Sequence, residues 1–185
     1  MKNIYTALTR PLRNQRGAIF GLDARIALAI FGVLSIVAGV SSLSVLSTAS
    51  TTALVTELNN MKKAYQEFHL STGEHTTRFM DLIDNNSSII GWSGPYIDLL
   101  SNNNRTYGVY NFVEGRQDVN GTPPVECSGG GICAIWLKLT AVKDSVASKL
   151  DEQLDATKSP NAGTFRIEYQ QGATDDIYYL VTARH

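Results

Sequence analysis

The sequence predicts an α+β chain. A long N-terminal helix, membrane-spanning in its first half, packs by its second half on a small antiparallel sheet of about four strands. Three observations carry that prediction. No charged residue occurs between Arg25 and Glu57, a gap of 31 positions. Beyond the middle of that gap, Leu54, Leu58, Met61, Tyr65 and Phe68 follow one another at intervals of 4, 3, 4 and 3 residues. That spacing lays them along one face of a helix. The later half of the chain then holds segments of strand composition, one of them strictly alternating.

Composition sets the outer limits. The chain has 185 residues, 43% of them apolar and 18% charged, enough to build one real core and too apolar for wholesale disorder. Its net charge of −1 leaves no global basic footprint for nucleic acid. The average conceals an asymmetry, because Lys2, Arg10, Arg13 and Arg16 all fall in the first 18 residues, where no acid occurs. Two cysteines and three scattered histidines exclude a multi-cysteine scaffold and argue against a structural zinc site.

Ile26 to Leu46 reads IALAIFGVLSIVAGVSSLSVL; as a helix these residues would span roughly 30 Å, one hydrocarbon core. The basic residues before it should stay cytoplasmic, placing the rest of the chain across the membrane. Hydropathy alone is met equally by a secretory signal cut near Ala49 and by an uncleaved signal anchor. No proline interrupts the chain between Pro11 and Pro95, so one helix from about Asp23 to Leu70 is expected, with Gly73 as its stop. Glu57, Asn60, Lys63 and Gln66 lie off the apolar stripe. That stripe covers only about two heptads, short for an independent coiled coil, and packing against a downstream sheet is the better reading.

The remainder has the composition of a small head. A short helix is expected over 76–84, and a turn-rich loop around Gly91, Gly94 and Pro95 carries Trp92 and Tyr96 as packing anchors. Segments 106–113 and 132–140 read as strands separated by the Pro/Gly-rich stretch 114–131. KDSVASKLDEQLDA reads as a helix capped by Asp144 or Ser145, burying Val146, Leu150 and Leu154. TFRIEYQ and IYYLVTAR then flank QGATDD as a hairpin, with Phe165, Ile167 and Tyr169 inward and Arg166 and Glu168 outward. Cys127 and Cys133 enclose SGGGI, whose glycines let the chain fold back, so an oxidising compartment would join them in a short-loop disulfide. In a reducing compartment they would be two free thiols.

The segment RGAIFGLDARIALAIFGVLSIVAG, residues 16–39, resembles the N-terminus of bacterial type IV prepilins and type II secretion pseudopilins. Weaker echoes are GWSGPYI at 91–97, and AIWLKLT and AGTFRIEY as parts of a closing sheet. The resemblance implies a pilin-like fold: a cleaved basic leader 1–18, a helix 19–72 with an assembly half 19–50 and an amphipathic half 51–72, and a head 73–185. It implies a leader peptidase cutting between Ala18 and Ile19, or after Gly17, with N-methylation of Ile19. Asp23 would stand where the family has its acid, and Gly32 where it has its helix glycine. The family acid is thought to meet the amino terminus of a neighbouring subunit. Expected partners are copies of the chain or sister subunits, the prepilin peptidase, an inner-membrane assembly platform, and lipid before assembly; nucleic acid is not among them. The location implied is the bacterial inner membrane, single-pass with the head in the periplasm, then a pilus or pseudopilus. The chain departs from the family in carrying Asp for Glu, Arg25 inside the apolar run, and no helix proline. Arg25 also offers Asp23 a local partner, which makes the pair an interfacial anchor in the rival reading of a monomeric, membrane-anchored periplasmic binding or sensor protein.

No catalytic constellation emerges, so an enzyme is not expected, and neither cofactor nor metal is assigned. GWSGP has only part of a nucleophile-elbow spacing, and SGGGI lacks a Walker lysine. His69 and His75 read as solvated, as do Asp151, Glu152 and Asp155 on an exposed helix face, while Asp175-Asp176 reads as a turn end. Asn85, Asn86, Asn104 and Asn120 begin N-x-[ST] sequons, incidental in a bacterial product.

Overall fold

The computed structural model describes residues 16–128, 130–155 and 159–184, excepting the side chains of 16–20 and 40–47. Among the described residues the elements run α1 (Arg16–Thr72), a 3-10 turn (Phe79–Leu82), β1 (Tyr110–Arg116), β2 (Cys133–Lys143), α2 (Asp144–Leu154), β3 (Phe165–Glu168) and β4 (Thr174–Arg184). The four strands form one antiparallel sheet in the order β1-β2-β4-β3. The chain divides into two compact units, Met1–Leu46 and Ser47–His185. The second unit therefore takes in the amphipathic half of α1 along with everything after it.

In that second unit every stripe residue named from the sequence is buried: Leu54, Leu58, Met61, Tyr65 and Phe68 are each at most 1% exposed. They share one core with Phe112, Ile135, Leu137, Leu139, Phe165, Ile167 and Ile177 of the sheet. Tyr65 meets Phe112 edge-on with ring centroids 4.8 Å apart, and Tyr179 Oη donates to Asn59 Oδ1 at 2.9 Å. Packing on the sheet, rather than a coiled-coil stalk, thus supplies the apolar partner this helix face needs. Thr72 is its last residue. Gly73, at φ +72°, donates its N–H to His69 O at 2.8 Å, a left-handed glycine closing the helix.

Several boundaries differ from the sequence reading. The helix expected at 76–84 contracts to the 3-10 turn, because Thr76 Oγ1 donates to Asp81 Oδ2 at 2.5 Å and Asp81 also takes Ser87 Oγ at 2.8 Å. Such side-chain bonds compete with helical propagation. β1 begins four residues later than the strand read at 106–113, since Gly108 sits against Thr140 and only an isolated bridge joins Asn103 to Val109. Neither Asp144 nor Ser145 caps α2. Lys143 holds the cap position without a side-chain bond, and Asp144 N instead donates to Ala173 O at 3.3 Å.

The sheet is covered on both faces, which the alternation in TFRIEYQ does not anticipate. Arg166 is fully buried and Tyr169, read as inward, is 63% exposed. The cause is the Pro/Gly-rich stretch after β1, which folds over the outer face. Arg116 N donates to Val125 O at 2.7 Å, Gln117 N to Ile132 O at 2.8 Å, and Gly121 N to Asn161 O at 2.8 Å. A Cβ on Gly115 would lie 2.5 Å from Pro124 Cβ, so only glycine lets this layer close. Under it sit Ala134, Trp136, Tyr178 and Leu180 as a second small core, with Trp136 Nε1 donating to Gly115 O at 3.1 Å. Cys127 and Cys133 are disulfide-bonded with Cα atoms 5.7 Å apart, tying this covering segment to the first residue of β2.

Candidate functional site

In the N-terminal unit the feature that demands a partner is α1 itself. Gly21–Gly39 is long and apolar enough to cross a membrane, and none of that span is buried. Leu22, Ile26, Leu28, Ile30, Phe31, Val33, Leu34, Ile36 and Val37 are each more than half exposed. Successive positions such as Val33-Leu34 and Ile36-Val37 point in different directions around the axis, so the helix is apolar on every side. A helix of that kind suits lipid or the interior of a helix bundle, where backbone groups must be satisfied internally. Its polar side chains conform: Ser35 Oγ donates to Phe31 O at 2.7 Å, absorbing the hydroxyl into the helix.

The residues singled out from the sequence lie on this surface. Asp23 and Arg25 are both exposed. Being two positions apart they leave the helix in different directions, and among the described residues no ion pair joins them. A Cβ placed on Gly21, Gly32 or Gly39 meets nothing within 4 Å. Those positions are open to close approach by another helix. Gly17, Ala18 and Ile19 belong to the first turn of α1. Their side chains, and residues 1–15 with Lys2, Arg10 and Arg13, lie outside the described residues.

No family model, curated protein or solved structure matches this chain. Its chemistry therefore rests on its own residues.

Elsewhere the polar groups are mostly structural. Trp92 Nε1 donates to Asp81 O at 2.7 Å, and Tyr96 stands edge-on to both Phe68 and Trp92 at 5.6 Å, the packing role read for them. His69 and His75 are half-buried rather than solvated, with rings stacked at 4.1 Å. His69 Nδ1 is 2.9 Å from Glu74 O, and His75 Nδ1 is 3.4 Å from Tyr65 Oη. Burial and the His69 ring hold the His75 imidazole below its ordinary range. No cluster of three metal-ligating side chains occurs among the described residues. His185 lies outside them. Asn85, Asn86 and Asn120 are exposed, and Asn104 is half-buried in a network described below.

Of the three acids read as a solvated face, Glu152 is exposed, whereas Asp151 and Asp155, the residue after α2, are not. Asp155 is half-buried and ends the helix by holding the start of β3. Its carboxylate accepts the N–H groups of Thr164 at 3.1 Å and Phe165 at 2.8 Å, and the Thr164 hydroxyl as well. Asp151 is 3% exposed and its Oδ1 has no hydrogen-bond partner. Burial, reinforced by Asp155 one turn on, raises its carboxyl above the usual range. Asp175 lies in β4 instead of ending a turn, takes the N–H of Gln170 at 3.1 Å and is likewise raised by burial. Asp176 is salt-bridged to Lys138 at 2.8 Å.

Asp151 yields a prediction with a definite sign. A carboxyl whose folded pKa exceeds its unfolded value binds more protons when folded, so its contribution worsens as pH rises through that interval. Asp151→Ala removes the buried carboxylate with its unpartnered Oδ1 and favours helix. It should stabilise the head by roughly 1 kcal/mol at pH 7, with the gain shrinking towards pH 3. Thermal melts at the two pH values decide it; a lower Tm for the variant at pH 7 refutes the reading.

Proposed function

We propose that this chain is a structural subunit of the pilin or pseudopilin kind, released from its basic leader by a prepilin peptidase and assembled through the first half of α1. The carrying observation is a helix whose Gly21–Gly39 span is apolar on every side while its continuation from Leu54 is locked into a folded head. Such a helix has two compatible environments, lipid and a bundle of like helices, and exchange between them keeps its apolar surface out of water. The segment at 16–39, with its basic approach and lone acid, supports cleavage between Ala18 and Ile19 and methylation of Ile19.

In this reading Asp23 supplies the specificity. A carboxylate beside an apolar span is costly unless paired, and the new amino terminus of a neighbouring Ile19 is the complementary charge. Gly32 and Gly39 leave room for adjacent helices. The subunit begins in a bacterial inner membrane with its head in the periplasm, its partners being copies or sister subunits and the assembly platform. The chain acts through assembly and performs no catalysis. A second reading, an anchored monomer that never polymerises, draws on Arg25: a cation and an acid together at the mouth of a span suit a membrane interface.

Intact mass and N-terminal sequencing of protein extracted from its native host membranes separate the two. An N-methylated start at Ile19, or at Ala18, is expected. A start at Met1 with an active leader peptidase present would favour the anchored monomer, and one near Thr51 would mean ordinary secretion. In a competent strain, Asp23→Ala should reduce filament incorporation by about tenfold or more; unchanged incorporation would remove the proposed pairing.

A further inference from the structure

Between α1 at Glu57 and the loop leading into β1 lies a groove of about 850 Å³, within the size range of small-molecule sites. It lies entirely in the unit Ser47–His185 and is independent of whether α1 resides in lipid or in a filament. Asn104 organises its wall. The Asn104 amide donates to Glu57 Oε1 at 3.0 Å and to Tyr110 Oη at 3.0 Å. Its Oδ1 accepts the backbone N–H groups of Thr106 at 2.7 Å and Tyr107 at 3.0 Å. Tyr110 is only 1% exposed, so a core residue presents its hydroxyl there. Burial, reinforced by Glu57, raises the Tyr107 and Tyr110 phenols above their ordinary range.

The lining specifies a chemistry. Glu57, Asp98 and Arg105 bring carboxylate and guanidinium groups to one groove, and each of these can engage two neighbouring hydroxyls at once, while Asn104, its amide fully bonded within the protein, fixes the wall they stand on. Half-buried Tyr107 and fully exposed Leu100 add apolar surface, suited to the C–H face of a pyranose ring. Two acids against one base leave a slight negative balance, which disfavours an anionic ligand. We propose that this groove binds a neutral hexopyranose oligosaccharide, held by Glu57, Asp98 and Arg105 against the wall that Asn104 fixes and covered by Tyr107. Nothing in the arrangement cleaves a glycosidic bond. The role is recognition, giving the head a contact with a glycan surface.

The test uses the full chain in a zwitterionic detergent without a sugar headgroup. Lactose, cellobiose and N,N′-diacetylchitobiose are titrated separately, with binding read by saturation-transfer NMR. At least one should saturate with roughly millimolar affinity, weakened about tenfold by Tyr107→Ala and by Glu57→Gln. Arg105→Ala, an exposed substitution, gives a third reading if Tyr107→Ala fails to fold. Absence of saturation below about 50 mM for all three sugars overturns the proposal. So does binding that survives every variant that folds. N-terminal processing of the same preparations is read independently, so failure of this site leaves the assembly reading untouched, and the converse holds.

Discussion

Leu58→Ala should destabilise the head by about 3–5 kcal/mol, lowering its Tm by on the order of 10 °C. Leu58 is 0% exposed and lies midway along the stripe, between Leu54 and Met61 of α1 and the inner face of the sheet. Truncation removes the transfer free energy of the lost methyl groups and leaves a void. Two rigid elements, a helix and a four-stranded sheet, border that void and can collapse into it only partly. Gln66→Ala, on the exposed side of the same helix, is the control and should stay within about 0.5 kcal/mol. Urea unfolding of the full chain followed by near-UV circular dichroism compares the two. If they melt alike, the amphipathic half of α1 is no part of the head's core, and the division at Leu46/Ser47 loses its energetic basis.

Arg166→Ala should cost about 2–4 kcal/mol, an effect that surface arginines do not show. The side chain is fully buried, and its guanidinium lies 4.3 Å from the centre of the Trp136 ring. Nη1 donates to Gly121 O at 3.1 Å and Nη2 to Gln117 O at 3.2 Å. No carboxylate forms an ion pair with it among the described residues, and its Nε lacks a partner. The buried cation is therefore offset by two carbonyls of the covering segment and by the aromatic face of Trp136 in β2 beneath it. Alanine orphans both carbonyls and opens a gap over Trp136, so the covering segment should loosen. Arg166→Met keeps the volume and should recover part of the loss while leaving the carbonyls unmet. Trp136 fluorescence reports the layer directly: a red shift in Arg166→Ala is expected. An unshifted spectrum with unchanged Tm would mean that the segment is held by other contacts alone.

These two sites differ in how far they could be read from residues. The stripe containing Leu58 is an intrasegment pattern, and helical geometry converts its spacing into a face without reference to anything else. Trp136 and Arg166 sit at positions whose strand parity points away from the inner core. Alternation therefore calls them outward, and alternation is right about direction. It is silent on what covers that direction. The readable hint was Trp136 itself, a large aromatic on the outward parity of β2, followed by the length and Pro/Gly content of the segment between β1 and β2. Asp151 and Asp155 were missed for a related reason. An α2 face that is polar in sequence becomes interior only because β3 and its approach pack against it. The Glu57–Asn104–Tyr110 network joins Glu57 to a residue 47 positions along the chain, a separation over which local spacing carries no information.

By itself, then, the sequence determined the long helix and the change of character along it, the glycine that stops it and the existence of the sheet. Each follows from periodicity or composition within a short stretch. Tertiary structure alone decided that the sheet is buried on both faces, that an arginine and an aspartate lie inside, that β1 starts late, and that a polar groove opens beside Glu57. The physical reason is that burial belongs to pairs of surfaces. A residue's own pattern sets the direction it faces, and only the arrival of a distant segment determines whether that direction ends in water, in apolar packing or against another polar group.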